Sequence, residues 1–238
     1  MKALAASTVL AISLGLGLVA CTREASPPGI AFAPWDKSHA SKPDFAQVDY
    51  AHPIPAAEMA KITPEYLATL EQEQIDQIYA RLTAGPIPDG AFDGKILLPK
   101  GASGKLRLAE IVGGFAGKAL ELKGLMLDEL GEGIWRGKVF YREERVLRNR
   151  IEDLSVLKKM GLVTDEPKKM DFHGKETWLL FPAKLYCGQS LLDARRESII
   201  IDYFFTDDIP GYQESPDFLA GRRGLRVRDE IRMIRPGL

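Results

Sequence analysis

An α+β fold follows from two features of the sequence: apolar residues recur at helical spacing in the first half of the chain, and the period changes to two in the second half. No crossover helix of useful length separates the later apolar runs, which points to antiparallel pairing. The predicted architecture is therefore a set of N-terminal helices packed on a curved antiparallel sheet, or on a sheet closed into a barrel. The organisation expected is a leader over 1–20, a linker and docking arm over 21–62, a helical region over 63–130 and the sheet over 131–238, the last two forming one folded unit.

The first helix is expected from Thr63 to Ala84. Thr63 suits the N-cap, Pro64 the first helical position and Glu65 the first turn, while Gly85-Pro86 stops it. Leu67, Leu70, Ile78 and Leu82 supply the apolar stripe. The two Asp-Gly pairs of PIPDGAFDG favour tight turns, and Ile96, Leu97 and Leu98 suggest a short strand. Between Leu106 and Leu130 the helical pattern returns, interrupted by Gly113, Gly114 and Gly117, so two helices with a break are expected. The charged residues of this segment deny it a continuous apolar span.

The strand half opens with GIWRGKVFY, where alternation predicts Trp135, Val139 and Tyr141 on one face and Arg136 and Lys138 on the other. WLLFPAKLY, ESIIIDYFF and GLRVRDEIRMI carry the β-branched and aromatic enrichment of further strands.

At the N-terminus, Lys2, the apolar run VLAISLGLGLVA and the small residues before the cut have the form of a secretory signal, too short to be a spanning helix. Leu18-Val19-Ala20-Cys21 resembles a bacterial lipobox. The resemblance implies cleavage before Cys21 and its lipidation, hence attachment to a membrane, since two or more acyl chains anchor firmly. Thr22 stands where an inner-membrane retention signal places Asp, so the implied location is the periplasmic face of the outer membrane. With Cys21 lipidated, Cys187 is unpaired and no internal disulfide forms. The segment TREASPPGIAFAP reads as an extended tether, followed by Trp35, Phe45 and Tyr50, which are expected to dock on the domain.

Lys2 is the one charged side chain of residues 1–20, so their removal moves the formal charge from -1 to -2. A basic surplus is absent, and no nucleic-acid partner is expected. His39, His52 and His173 are dispersed without ligand spacing, which argues against zinc. No Gly-rich phosphate loop or GxSxG elbow is present, and no cofactor is expected. No local signature frames Cys187 as a nucleophile.

Gly133-Ile134-Trp135-Arg136-Gly137 fits a GxWxG pattern, and WRGKVFYREERVLRNRI, YCGQSLLDARRESIIIDYFFTD and RDEIRMIRPG are similar to blocks of an uncharacterised group of proteobacterial lipoproteins. The tryptophan between glycines also resembles the opening strand of calycin-type barrels, which implies a cavity for a hydrophobic small molecule. Those barrels and that group continue beyond the final Pro-Gly, whereas this chain stops at Leu238; a missing closing strand would leave an open edge.

In the last strand, alternation that turns Leu225, Val227, Ile231 and Met233 to the core turns Asp229 with them, leaving Arg226, Arg228, Glu230 and Arg232 outside. A buried carboxylate must be paired, hydrogen-bonded or protonated. Asp229 is thus either an inward ion pair fixing the register, with Arg148, Arg150, Arg195 or Arg196 as partner, or a polar group at the base of a ligand cavity. Asp202 in IIIDYFF invites the same two readings. The functional expectation is a lipid-anchored envelope protein whose ligand lies among Trp135, Tyr186 and Tyr203, its polar head held by Asp229, Asp202 and an arginine such as Arg148. The alternative is a scaffold that binds an anionic envelope partner through Arg226 and Arg228. A hydrolase using Asp202 or Asp229 is the least favoured reading. The anchoring expectation is tested by Cys21→Ser: the variant should move from the membrane pellet to the soluble fraction, and persistence in a carbonate-washed pellet would refute it.

Overall fold

The computed structural model describes residues 26–35, 43–97, 135–159 and 161–238. The lipobox, the helices expected between 106 and 130, and Gly133-Ile134 lie outside the described residues. No described helix is long and apolar enough to cross a membrane.

Four short helices come first: α1 Phe45–Ala51, α2 Ala56–Met59, α3 Pro64–Leu67 and α4 Gln72–Ala80. Asp44 caps α1 by accepting from Ala46 N at 2.8 Å. Thr63 caps α3, its Oγ1 accepting from Tyr66 N at 3.2 Å, with Pro64 as the first helical residue. The single helix expected from 63 to 84 is, however, two. The Thr69 hydroxyl donates back to Tyr66 O at 2.7 Å, and a Glu71–Gln74 capping box starts α4 afresh. Ile62, Leu70, Ile78 and Leu82 form the helical core, joined by Ile30 and Phe32 of the arm and by Ile234.

The arm is held by buried amide and guanidinium groups. Gln77 accepts from Ala33 N at 2.9 Å and donates to Ala33 O at 3.1 Å, and Arg81 donates to Ala31 O at 2.9 Å and to His52 O. Trp35 meets Phe32 edge to face at 6.5 Å between centroids. Tyr50 does not dock as expected: it is 90% exposed on α1.

The sheet has seven antiparallel strands: β1 Gly90–Asp93, β2 Trp135–Tyr141, β3 Val146–Ile151, β4 Lys169–Phe172, β5 Lys175–Gln189, β6 Glu197–Asp202 and β7 Arg228–Ile231. Their order is β1-β2-β3-β5-β6-β7, and β4 pairs with the start of β5 on the side away from β3. Two short helices, α5 Ser155–Lys159 and α6 Glu214–Asp217, lie in the connections. The sheet is open, so the barrel alternative is corrected. After β7 the chain turns to the helical unit instead, where Met233 N donates to Thr83 O at 3.1 Å. Before β7, Arg226 adopts φ 54°, which ends the extended alternation expected from Leu225 onward.

Two bulges set which side chains share a face. In β2, Trp135 pairs with Ile151 but Gly137 with Arg150, so Arg136 is the extra residue. The bulge reverses the phase of the strand, and Trp135 and Lys138 fall on one face, opposite to the expected alternation. In β5, Leu180 pairs with Asn149 and Ala183 with Leu147, leaving Phe181-Pro182 as the irregular step. Proline lacks the ladder donor and is accommodated there. The resulting inner face packs Phe140, Leu147, Ala183, Leu185, Ile199, Ile201 and Tyr203 into one core.

Gly137 has φ 133°, and a Cβ built on it would lie 2.0 Å from Phe92 O of β1. Gly174, in the β4–β5 turn, has φ 76° with open space around it. Gly174→Ala should cost about 1 kcal/mol for its backbone conformation alone. Gly137→Ala should cost clearly more, because the β1 ladder must also move; equal losses in urea unfolding would show that the bulge is not clamped.

Candidate functional site

The inner face carries a cavity of about 270 Å³ between the middle of the sheet and the loop that precedes β7. Ile96 and Trp135 border it on one side, Ile151 and Phe181 on another, and Leu219, Ala220, Leu225 and Val227 come from the loop. Lys138, Asn149, Tyr203 and Asp229 complete the lining among the described residues, as its polar members.

Each wall follows from a local device. The β2 bulge turns both Trp135 and Lys138 inward. Gly94 lies against the indole, where a Cβ would come within 2.1 Å of Trp135 Cη2. Phe181 adopts φ 51°, unusual for a bulky residue, and the buried Asp217 carboxylate holds it there by accepting from Phe181 N at 2.7 Å and from Gln213 N at 3.0 Å. Burial pushes the Asp217 carboxyl up, opposed by those two N–H groups and by Arg148.

The polar members form a connected cluster. Asn149 Oδ1 accepts from Trp135 Nε1 and from Lys138 Nζ, each at 2.9 Å, and Asn149 Nδ2 donates to Phe181 O at 3.1 Å. The Tyr203 oxygen accepts from Lys138 Nζ at 2.8 Å and from Asn149 Nδ2 at 3.0 Å. Among the described residues its own proton finds only Asn149 Oδ1, 3.5 Å away. Lys138 Nζ also lies 5.5 Å from the ring centroids of both Trp135 and Tyr203, within cation–π range. Asp229 accepts no hydrogen bond from the described residues. Burial pushes its carboxyl above the ordinary aspartate value, and the Lys138 charge opposes that rise.

Of the residues the sequence nominates for a ligand, Trp135, Tyr203 and Asp229 meet at the cavity. Tyr186, Asp202 and Arg148 do not. Asp202 pairs with Arg228 in register and Ile201 with Asp229, so the two aspartates point to opposite faces. Asp202 is buried there, accepting from the Tyr186 hydroxyl at 2.7 Å and from Phe204 N at 2.9 Å. Arg148 donates to Pro210 O at 2.8 Å and pairs with no nominated aspartate. Arg228 donates to the Tyr186 hydroxyl at 2.7 Å, and exposed Arg226 donates to Arg222 O at 3.2 Å. Arg232, expected outside, is buried beneath the Tyr79 ring, 4.5 Å from its centroid.

Strict alternation missed Lys138, Asn149 and Phe181. The signals that carry them are the bulge-prone Gly137 after Trp135 and the proline inside the WLLFPAKLY strand. No family model, curated protein or solved structure matches the chain.

A carboxyl whose pKa is higher in the folded than in the unfolded state weakens the fold once ionised. Its penalty is absent below the unfolded value and grows as pH rises through the folded one. Asp229→Asn should therefore raise the thermal midpoint at pH 7 and give little gain near pH 4. A midpoint lowered at pH 7 would instead make Asp229 a structural anchor.

Proposed function

We propose that this protein is a lipid-anchored envelope protein, held through Cys21 at the periplasmic face of the outer membrane, that binds a hydrophobic or amphipathic small molecule in the inner-face cavity. The carrying observation is an apolar cavity bordered by a small set of convergent polar groups, the usual composition of a ligand site. Its volume, about 270 Å³, falls just below the usual range of such sites, which starts at about 300 Å³, and suits one acyl chain or a fused ring pair. Trp135, Phe181 and the loop residues Leu219, Leu225 and Val227 contact the apolar part, and Lys138, Tyr203 and Asp229 meet the head.

The scaffold reading, with an anionic partner on Arg226 and Arg228, draws less support. Arg228 is bonded to Tyr186 and stands 3.9 Å from Asp202, so its charge is partly answered within the chain. A two-carboxylate hydrolase is not favoured either, because Asp202 and Asp229 face away from each other across the sheet.

The reading is tested with the chain carrying Trp35→Phe and Trp178→Phe, in which Trp135 is the remaining tryptophan. Titration with the neutral dye N-phenyl-1-naphthylamine should quench Trp135 emission saturably at one dye per chain. Leu225→Trp, which fills the cavity, should weaken dye binding at least tenfold when measured by dye fluorescence in the otherwise unmodified chain. No saturable binding to folded protein would overturn the proposal.

A further inference from the structure

We infer that the ligand of this cavity is an amphiphile with a carboxylate head, seated against Lys138 and Tyr203, and that its binding takes up a proton at Asp229. The inference rests on the ligand-binding reading above and assigns the chemistry of the head.

Two donors converge where the cluster is incomplete. Lysine has three N–H groups, of which Lys138 uses two, on Asn149 and Tyr203. Tyr203 already accepts two short hydrogen bonds, at 2.8 and 3.0 Å, so its oxygen is saturated while its proton has an acceptor only at 3.5 Å. A hydroxyl in that state is built to donate. Asn149 offers that proton only a long contact, because its carbonyl oxygen is already taken by Trp135 and Lys138 at 2.9 Å each. An oxyanion placed between Lys138 Nζ and the Tyr203 hydroxyl would complete both groups with charge-assisted hydrogen bonds. A quaternary ammonium head would meet the Lys138 charge and leave the tyrosine proton unanswered.

Asp229 decides when that oxyanion can enter. As a carboxylate it would repel a second carboxylate; as a neutral acid it becomes a third donor, as shared-proton carboxyl pairs do. Lys138 from β2 and Tyr203 from the end of β6 are the charged and titratable groups that line the cavity with it among the described residues. Its strand neighbours Arg228 and Glu230 turn to the other face, Arg228 to Tyr186 and Glu230 to Tyr79 and Ser190. Burial already raises the proton affinity of Asp229, and an arriving anion raises it further. The proton comes from solvent, and the ligand remains an anion beside the lysine.

The probes are octanoate, octanol and octyltrimethylammonium, each displacing N-phenyl-1-naphthylamine from the protein between pH 8 and pH 5.5, above the range in which an ordinary carboxylic acid protonates. Octanoate should bind tightest of the three, and its affinity should rise as pH falls, approaching tenfold per pH unit where Asp229 is ionised in the free protein. Octanol should show no such slope. In Asp229→Asn, octanoate binding should persist with a flat pH profile. Lys138→Met should lower the ratio of octanoate to octanol affinity at least tenfold, with circular dichroism confirming the fold. Preference for the ammonium, or an octanoate affinity that does not rise on acidification, overturns the carboxylate inference while leaving the cavity reading in place. Absence of dye binding overturns the cavity reading itself.

Discussion

Asn149 stands between two irregular strands, and the site depends on that position. Its neighbours β2 and β5 each carry an irregular step, at Arg136-Gly137 and at Phe181-Pro182. A bulge changes which face every later side chain occupies, so two of them flanking one strand must be held in a fixed relation. Asn149 bonds both: its oxygen takes the Trp135 and Lys138 donors of β2, and its amide gives a hydrogen bond to Phe181 O of β5. A side chain with a donor and an acceptor at one end can do this; an aspartate lacks the donor and a leucine lacks both. Unmade bonds among buried groups cost about 1–3 kcal/mol each, so the cluster is stable as a whole or not at all.

The fold class was legible because hydrophobic period depends on burial alone. The strands at Trp135, Glu197 and Arg228 and the inward turn of Asp229 follow from it, while the Thr63-Pro64 helix start follows from capping chemistry. What period reasoning cannot supply is a change of phase. Counting every second residue from Trp135 puts Lys138 on the wrong face, because one inserted residue shifts the count. The same limit applied to Asp202 and Asp229. Each was read as an inward carboxylate from its own strand, and only the pairing of Ile201 with Asp229 shows that the inward faces differ. Closure was illegible for another reason: whether the last strand meets β1 or Thr83 depends on contacts far apart in sequence, and Met233 bonds Thr83.

β7 serves two units with four residues. Asp229 faces the cavity while Glu230, one residue on, accepts from the Tyr79 hydroxyl at 2.9 Å and from Ser190 at 2.7 Å. Just beyond the strand, Arg232 donates to Ser198 and to Tyr79 O, both at 2.9 Å. Burial pushes the Tyr79 phenol up, which keeps it a hydroxyl and a donor at any physiological pH. The alternation of one short strand therefore joins the helical unit to the outer face and presents a carboxyl to the inner one. A register slip of one residue would exchange Asp229 with a neighbour and undo both arrangements, so the Tyr79–Glu230 contact fixes the position of Asp229.

The carboxylates of Asp202 in β6 and Asp229 in β7 are treated very differently. Asp202 is surrounded by a phenol, a main-chain N–H and a guanidinium, the environment of a structural anion. Asp229 has a lysine at a distance and no hydrogen bond from the described residues. A fold selected for stability alone would replace such a group with leucine or valine, since the neighbouring wall is Val227 and Leu225 and an apolar side chain of that size suits it. Retaining a carboxyl with no hydrogen bond, and a tyrosine proton with only a 3.5 Å acceptor, among the described residues sacrifices stability at one spot, and strain or unsatisfied polarity of this kind concentrates where a protein meets something else. The two groups share one need: among the described residues the tyrosine proton has only a long acceptor, and Asp229, once protonated, has none. A single oxyanion answers both, and the apolar walls beside them continue in the direction that the rest of such a molecule would take.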